Sequence, residues 1–198
     1  DGAQAPGSAP MDILDLKADF YTFSAHKWLL GPKRTGVLYV REELLDTVEA
    51  LTAGGTSYKS FNLAEGKLEL QDTAQRYEYG TQNPLLFFGL QESMKLISDL
   101  GLARIKEYDE SLSEHFYAGL NRMPHVETIS PKERAYRTSM ISFRIPGLNA
   151  ARISERMMQE GIRVRVVNEA GLNAIRVSFH VFNNIEDADK ALNSIDSI

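Results

Sequence analysis

Ser24-Ala25-His26-Lys27 follows the apolar run Asp19-Phe-Tyr-Thr-Phe23, at a point where a strand leaves the core and a loop begins. A sheet fixes the backbone at such a point and the loop exposes the side chains, which is the placement that catalytic groups favour. The Lys27 amine is a nucleophile able to form a Schiff base if its surroundings lower its pKa. A solvated surface lysine is the ordinary alternative. Upstream, Asp1-Gly2-Ala3-Gln4 offers a carboxylate and an amide. A carboxylate beside a pyridine nitrogen keeps that nitrogen protonated and turns the ring into an electron sink, and Gln4 could donate a hydrogen bond to a ring hydroxyl oxygen. A plain Asp-Gly turn is the other reading. Two adjacent parallel strands joined by a crossover would bring such a carboxylate and such a lysine together.

Three further positions carry polar chemistry. Thr81 lies in Arg76-Tyr-Glu-Tyr-Gly-Thr-Gln-Asn83, just before a helix start. Arg176 falls on the polar side of a strand whose other side shows Ile175, Val177 and Phe179, and its planar fork of donors suits a carboxylate better than a lysine does. His180 follows closely and is a weaker candidate for the same side. Arg163 and Arg165 alternate in a similar way but belong to no motif, so they read as solvated or interface charges. No metal-ligand set stands out.

The elements that must position these groups follow from periodicity. Residues 36–40 form a second β-rich run, residues 43–51 look helical, and residues 53–75 are polar, weakly periodic and read as a long loop. Asn83-Pro84 is a cap and first-turn pair for a helix through Leu90, Met94, Ile97 and Leu100 that Gly101 stops. A second helix carries Ile105, Leu112, Phe116 and Leu120 up to the break near Pro124. The last third alternates: Ile141, Phe143 and Ile145, then Ile162, Val164 and Val166, then Ile175, Val177 and Phe179. Asn149 caps a helix ending at Gly161, and Asn184 caps a closing helix through Leu192.

The chain has 198 residues, 43% hydrophobic and 25% charged, enough for a globular fold of one or two domains. A formal net charge of -5 with scattered Lys and Arg leaves no basic face for nucleic acid. No apolar run approaches the roughly 20 residues that span a bilayer, and no signal peptide opens the chain, so a cytoplasmic protein is expected. There is no cysteine, which excludes disulfides, thiolate metal sites and a cysteine nucleophile within these residues. The chain begins at Asp1 rather than a methionine, as a fragment would.

Four strings taken in order, DGAQ, SAHK with WLLGP and TGVLYVR, RYEYGTQN, and IRVSFHVFNN, resemble the class V aminotransferase family. That family of pyridoxal-phosphate enzymes includes cysteine desulfurases, selenocysteine lyases and isopenicillin-N-epimerase-like proteins. The resemblance runs almost from Asp1 to the C-terminus. It implies the C-terminal part of a fold-type-I α/β enzyme: the end of a large α/β domain over residues 1–82 and a small α+β domain over residues 83–198. It implies that Asp1 pairs with the pyridine nitrogen, Gln4 contacts the ring oxygen, Ser24 and His26 bind the cofactor phosphate, and Lys27 forms the Schiff base and later shuttles protons at the substrate α-carbon. Thr81 matches a threonine that reaches the phosphate of the other subunit's cofactor, which implies a homodimer with shared sites. Arg176 matches the arginine that binds the carboxylate of an amino-acid substrate.

The departures are equally specific. Persulfide-forming members carry a cysteine on the loop corresponding to residues 167–173, which here reads Val-Asn-Glu-Ala-Gly-Leu-Asn. Arg34 stands where relatives usually have a glycine. The family's stacking aromatic residue and further phosphate donors lie upstream of Asp1, so these residues alone are expected to be inactive. The expected reaction is a carbon–sulfur lyase-type β-elimination without a protein persulfide. Epimerase or aminotransferase chemistry, or a catalytically silent dimerisation domain, is the alternative.

Overall fold

Phe20–Ser24 (β1) and Gly36–Val40 (β2) pair antiparallel in the computed structural model, which describes residues 1–198, with Phe20 opposite Val40 and Ser24 opposite Gly36. The β-branched and aromatic residues of both runs favour this extended state. Arg41 leads into a short 3-10 helix over Glu42–Thr47. The helix expected over residues 43–51 is therefore one tight turn rather than an α-helix. None of its residues is buried, so no apolar face holds a longer helix in place.

Residues 53–75 also depart from expectation. Tyr58–Asn62 (β3) and Lys67–Leu70 (β4) form an antiparallel hairpin, followed by a 3-10 helix over Ala74–Tyr77. Almost every residue of the hairpin is half-exposed or exposed, so the alternation that marks a strand with one face in a core is missing. Pro84–Leu100 (α1) then begins as expected, with Asn83 Oδ1 accepting the Leu85 N–H at 3.1 Å. Gly101, at φ +86°, ends it, a backbone state that glycine adopts without strain.

Contacts divide the chain into two units, Asp1–Asp99 and Leu100–Ile198. Nearly all of α1 therefore belongs with the first unit, whereas the expected boundary after residue 82 counted it with the second.

The second unit is a helix-on-sheet sandwich. Leu102–Leu120 (α2), Ala150–Gln159 (α3) and Ile185–Asp196 (α4) pack against a four-stranded antiparallel sheet of Glu127–Thr128 (β5), Met140–Arg144 (β6), Arg165–Val167 (β7) and Ala174–Ser178 (β8), in the order β5-β6-β8-β7. Ile141, Phe143, Ile175 and Val177 face the helices and meet Phe116, Leu120, Met157, Leu192 and Ile195. Phe116 is fully buried, edge-on to Phe143 and Phe179 with centroids 6.4 and 5.4 Å away. Burying such a side chain stabilises the fold by about 1.5–3 kcal/mol. Because strand side chains alternate, Ser142, Arg176 and Arg165 are left on the opposite face. No helix of the chain is long and apolar enough to cross a membrane.

Candidate active site

The turn after β1 is closed by backbone bonds from Ala25 N to Thr35 O (3.1 Å), Leu30 N to Lys27 O (3.0 Å) and Gly31 N to Ala25 O (2.9 Å). Ala25, Trp28 and Leu29 are buried, while Lys27 is half-buried and His26 exposed. The buried residues on either side of His26 and Lys27 thus anchor the turn that presents them. The His26 Nδ1 lies 3.3 Å from Thr35 O, which fixes one edge of the ring and leaves Nε2 on the other. The Ser24 hydroxyl makes no hydrogen bond within the chain.

Residues 1–8 fold as a turn against this segment rather than as a strand, and no helical crossover connects them to β1. The expected pair of parallel strands is thus absent from these residues, where every strand pairing is antiparallel. The two segments are nevertheless brought together. Gly2 N donates to Thr22 O at 2.8 Å, and Asp1 and Ser24 line one open concavity with Thr22 and Gly36. Asp1 Oδ1 accepts the Ala3 N–H at 2.8 Å. Gly7, at φ +95°, lies so close to the Trp28 carbonyl that an added Cβ would stand 2.4 Å from it.

Gln4 is held by a residue that motif reading did not single out. The Trp28 indole Nε1–H donates to Gln4 Oε1 at 2.8 Å. An indole only donates, so this bond assigns the amide: its oxygen is committed to Trp28 and its NH2 is the end left to donate elsewhere.

Thr81 is exposed in the loop before α1, and its hydroxyl bonds to none of these residues. Its neighbour Arg76 is structural: Nη1 donates to Leu45 O (3.0 Å) and pairs with Asp46 (2.7 Å), tying the two 3-10 helices together.

In the second unit Arg176 is half-buried on β8, between Ser142 on β6 and Arg165 on β7. Its Nε is buried without a hydrogen-bond partner and no carboxylate pairs with the guanidinium. Burial, then the nearby positive charge of Arg165, lower its pKa from the usual arginine value against the opposing pull of Glu169. A guanidinium still stays protonated at neutral pH, so this is a charge in want of an anion. Arg165 is already paired, with Glu169.

His180 is buried, and its Nδ1 contacts Asp109 of α2 at 2.8 Å. That pair fastens the segment just after β8 to α2, which gives His180 a structural part within the second unit. Asp109 could not be found from sequence, because an acid on an apolar helix face gives no motif.

A family model described as Aminotransferase class-V matches residues 1–191. The chain belongs to the class V aminotransferase family. It is 32% identical over its whole length to a cysteine desulfurase of Klebsiella pneumoniae and 28% identical to a probable cysteine desulfurase of Pyrococcus abyssi. In each case it spans about half the length of the curated relative, 50% and 51%. Among solved structures it is similar to the apo cysteine desulfurase of Thermococcus onnurineus NA1, with 30% identity and a TM-score of 0.91 over 98% of this chain and 50% of that one. It also matches the cystine C-S lyase C-DES in complex with its reaction product cysteine persulfide, at 26% identity and a TM-score of 0.88 over 100% of this chain and 51% of that one. A lysine-to-alanine variant of C-DES holds glycine covalently linked to its pyridoxal-phosphate cofactor. These likenesses make the fold that of the α/β, fold-type-I enzymes.

Two turns of this class V member hold non-glycine residues in left-handed backbone. Arg34 adopts φ +72°, a state that glycine adopts without strain. The 167–173 loop closes through a short 3-10 turn, Glu169–Gly171, with Ala170 and Asn173 at φ +54° and +44°. Asn173 then accepts the Ala150 N–H (2.9 Å) and donates to Leu148 O (2.8 Å), fastening the loop to the start of α3.

Proposed function

We propose that this chain carries the lysine and the substrate arginine of a pyridoxal-phosphate enzyme that cleaves a carbon–sulfur bond of an amino acid by β-elimination, without storing sulfur on a protein cysteine. The observation that carries the reading is Arg176, a half-buried guanidinium whose Nε has no hydrogen-bond partner and which no carboxylate contacts as an ion pair, the nearby Glu169 being bonded to Arg165. An α-carboxylate matches such a guanidinium in charge and in hydrogen bonding.

The cofactor of the family is pyridoxal phosphate, and the first unit has a donor set that suits it. Gln4 has only its NH2 left to give, which matches an acceptor such as a ring oxygen. The Ser24 hydroxyl and the His26 ring can donate to phosphate oxygens, and Asp1 keeps one carboxylate oxygen beyond its bond to Ala3. When bound, pyridoxal phosphate supplies a protonated ring that withdraws electrons from the substrate α-carbon. Asp1 holds the ring nitrogen protonated, and Ser24 and His26 hold the phosphate. Lys27 would hold the cofactor through its amine, and that amine is the group that would take the proton from the substrate α-carbon. Arg176 orients the substrate through its carboxylate. Exposed Thr81 would reach the cofactor phosphate of a second subunit, so that the working form is a homodimer; a cytoplasmic location is part of the same proposal.

Absence of cysteine from the 167–173 loop supports a lyase that leaves sulfur on the product, in keeping with the likeness to C-DES. The test is incubation of the full-length protein and pyridoxal phosphate with cysteine and cystine. Release of pyruvate together with sulfide or a small persulfide is expected. Exchange of the α-proton with neither product would overturn the lyase in favour of an epimerase.

A further inference from the structure

Arg165 and Arg176 are direct cross-strand partners on the face of the β6-β8-β7 sheet that lies away from the core. Like charges opposed in this way repel, so their juxtaposition costs stability unless an anion offsets it. Glu169, in the 3-10 turn that follows β7, provides one anion and gives it to Arg165 alone. Its own backbone N–H, then Arg165 and the Asn168 N–H, hold the Glu169 carboxyl below the usual glutamate range, so it is fully ionised at neutral pH. On the β8–β7 part of this face Arg165 and Arg176 thus have one carboxylate nearby, and it is hydrogen-bonded to Arg165; Arg144 on β6 has its own partner in Glu127. The Arg165–Glu169 pair is more than half exposed on both sides, at 53% and 61% of the side chains. Such a pair is loosely held and open to competition by another ion.

We infer that Glu169 is a specificity-determining residue: by engaging Arg165 it leaves Arg176 as the single open guanidinium on this face, so that the site takes amino acids with a neutral side chain and turns away those with an acidic one. An acidic side chain directed at Arg165 meets the Glu169 carboxylate, and like-charge juxtaposition works against it. Once Glu169 is neutralised, Arg165 becomes a second anion receptor beside Arg176 and dicarboxylates gain. The inference rests on the reading of Arg176 as the carboxylate-binding group.

The test follows the Arg176 Nε–H signal by 1H–15N NMR in this chain while propionate or succinate is titrated. The unaltered protein is expected to bind the two with affinities within about twofold. Glu169→Gln, an isosteric change at an exposed position, is expected to favour succinate over propionate by about tenfold or more. The double variant Glu169→Gln/Arg165→Met should lose that preference. If Glu169→Gln leaves the two ligands equal while both still move the Arg176 signal, the inference falls and the role of Arg176 stands. It falls equally if the unaltered protein already prefers succinate tenfold. If neither ligand moves the Arg176 signal, the carboxylate role of Arg176 fails, and the inference with it.

Discussion

Lys27 is one of many lysines by type, and what separates it is its place in a turn whose flanking residues are buried. Ala25, Trp28 and Leu29 anchor the segment, and His26 and Lys27 are displayed from it. The motif that marks this turn was legible in the sequence, and so was the place of Arg176 on the polar side of its strand. Trp28 was not, because the bond from its indole to Gln4 joins residues 24 apart in sequence. Glu169 was missed for a related reason: its partner Arg165 showed only alternation, which gives no sign of charge pairing. Arg34 supplies a direct test of local strain. Its φ of +72° is costly for a residue with a Cβ, and its side chain is exposed. Arg34→Gly is expected to raise stability in chemical denaturation by up to about 1 kcal/mol, the relief being partly offset by the greater freedom of glycine in the unfolded chain. A loss of stability would show that the arginine side chain holds the turn.

Helices were the most readable elements. Asn83, Asn149 and Asn184 each accept a backbone N–H at the first turn of the helix they precede, as their side-chain chemistry requires. For Asn184 the bond is reciprocal, since Asp187 accepts the Asn184 N–H. Strands β6 and β8 were readable because one face of each is buried. The strand expected over Ile162, Val164 and Val166 is confined to Arg165–Val167, and the two-residue β5 was not foreseen; neither β7 nor β5 contains a fully buried residue. The β3–β4 hairpin was not readable, because neither of its faces is buried. The 167–173 loop belongs here as well, since Asn173 ties it to α3 and so sets where Glu169 stands relative to β7 and β8. Asn173→Ala removes an acceptor from the Ala150 N–H at the first turn of α3. Thermal or urea unfolding is expected to show a loss of about 1 kcal/mol, typical of a helix cap. A loss no larger than experimental scatter would mean that Asn149 alone satisfies that helix end.

The two units differ in how they are held together. Residues 100–198 enclose a continuous apolar core, whereas the first unit buries few large side chains and leaves Leu14, Phe20, Leu38, Leu85 and Phe88 exposed. The alternation and helical spacing that made the second unit legible are the trace of that core. In the first unit the signal came from polar residues instead, and such a signal does not define elements, which is why the β3–β4 hairpin and the 3-10 helix over Glu42–Thr47 were not foreseen. The chain spans about half the length of its curated relatives. The proposed function depends above all on Lys27 being the residue that takes the cofactor. The most direct measurement is borohydride reduction of the full-length protein loaded with pyridoxal phosphate, followed by peptide mapping. A pyridoxyl label on Lys27 is expected, together with its disappearance and no replacement in Lys27→Ala. A label on another lysine, or none at all, would contradict the account.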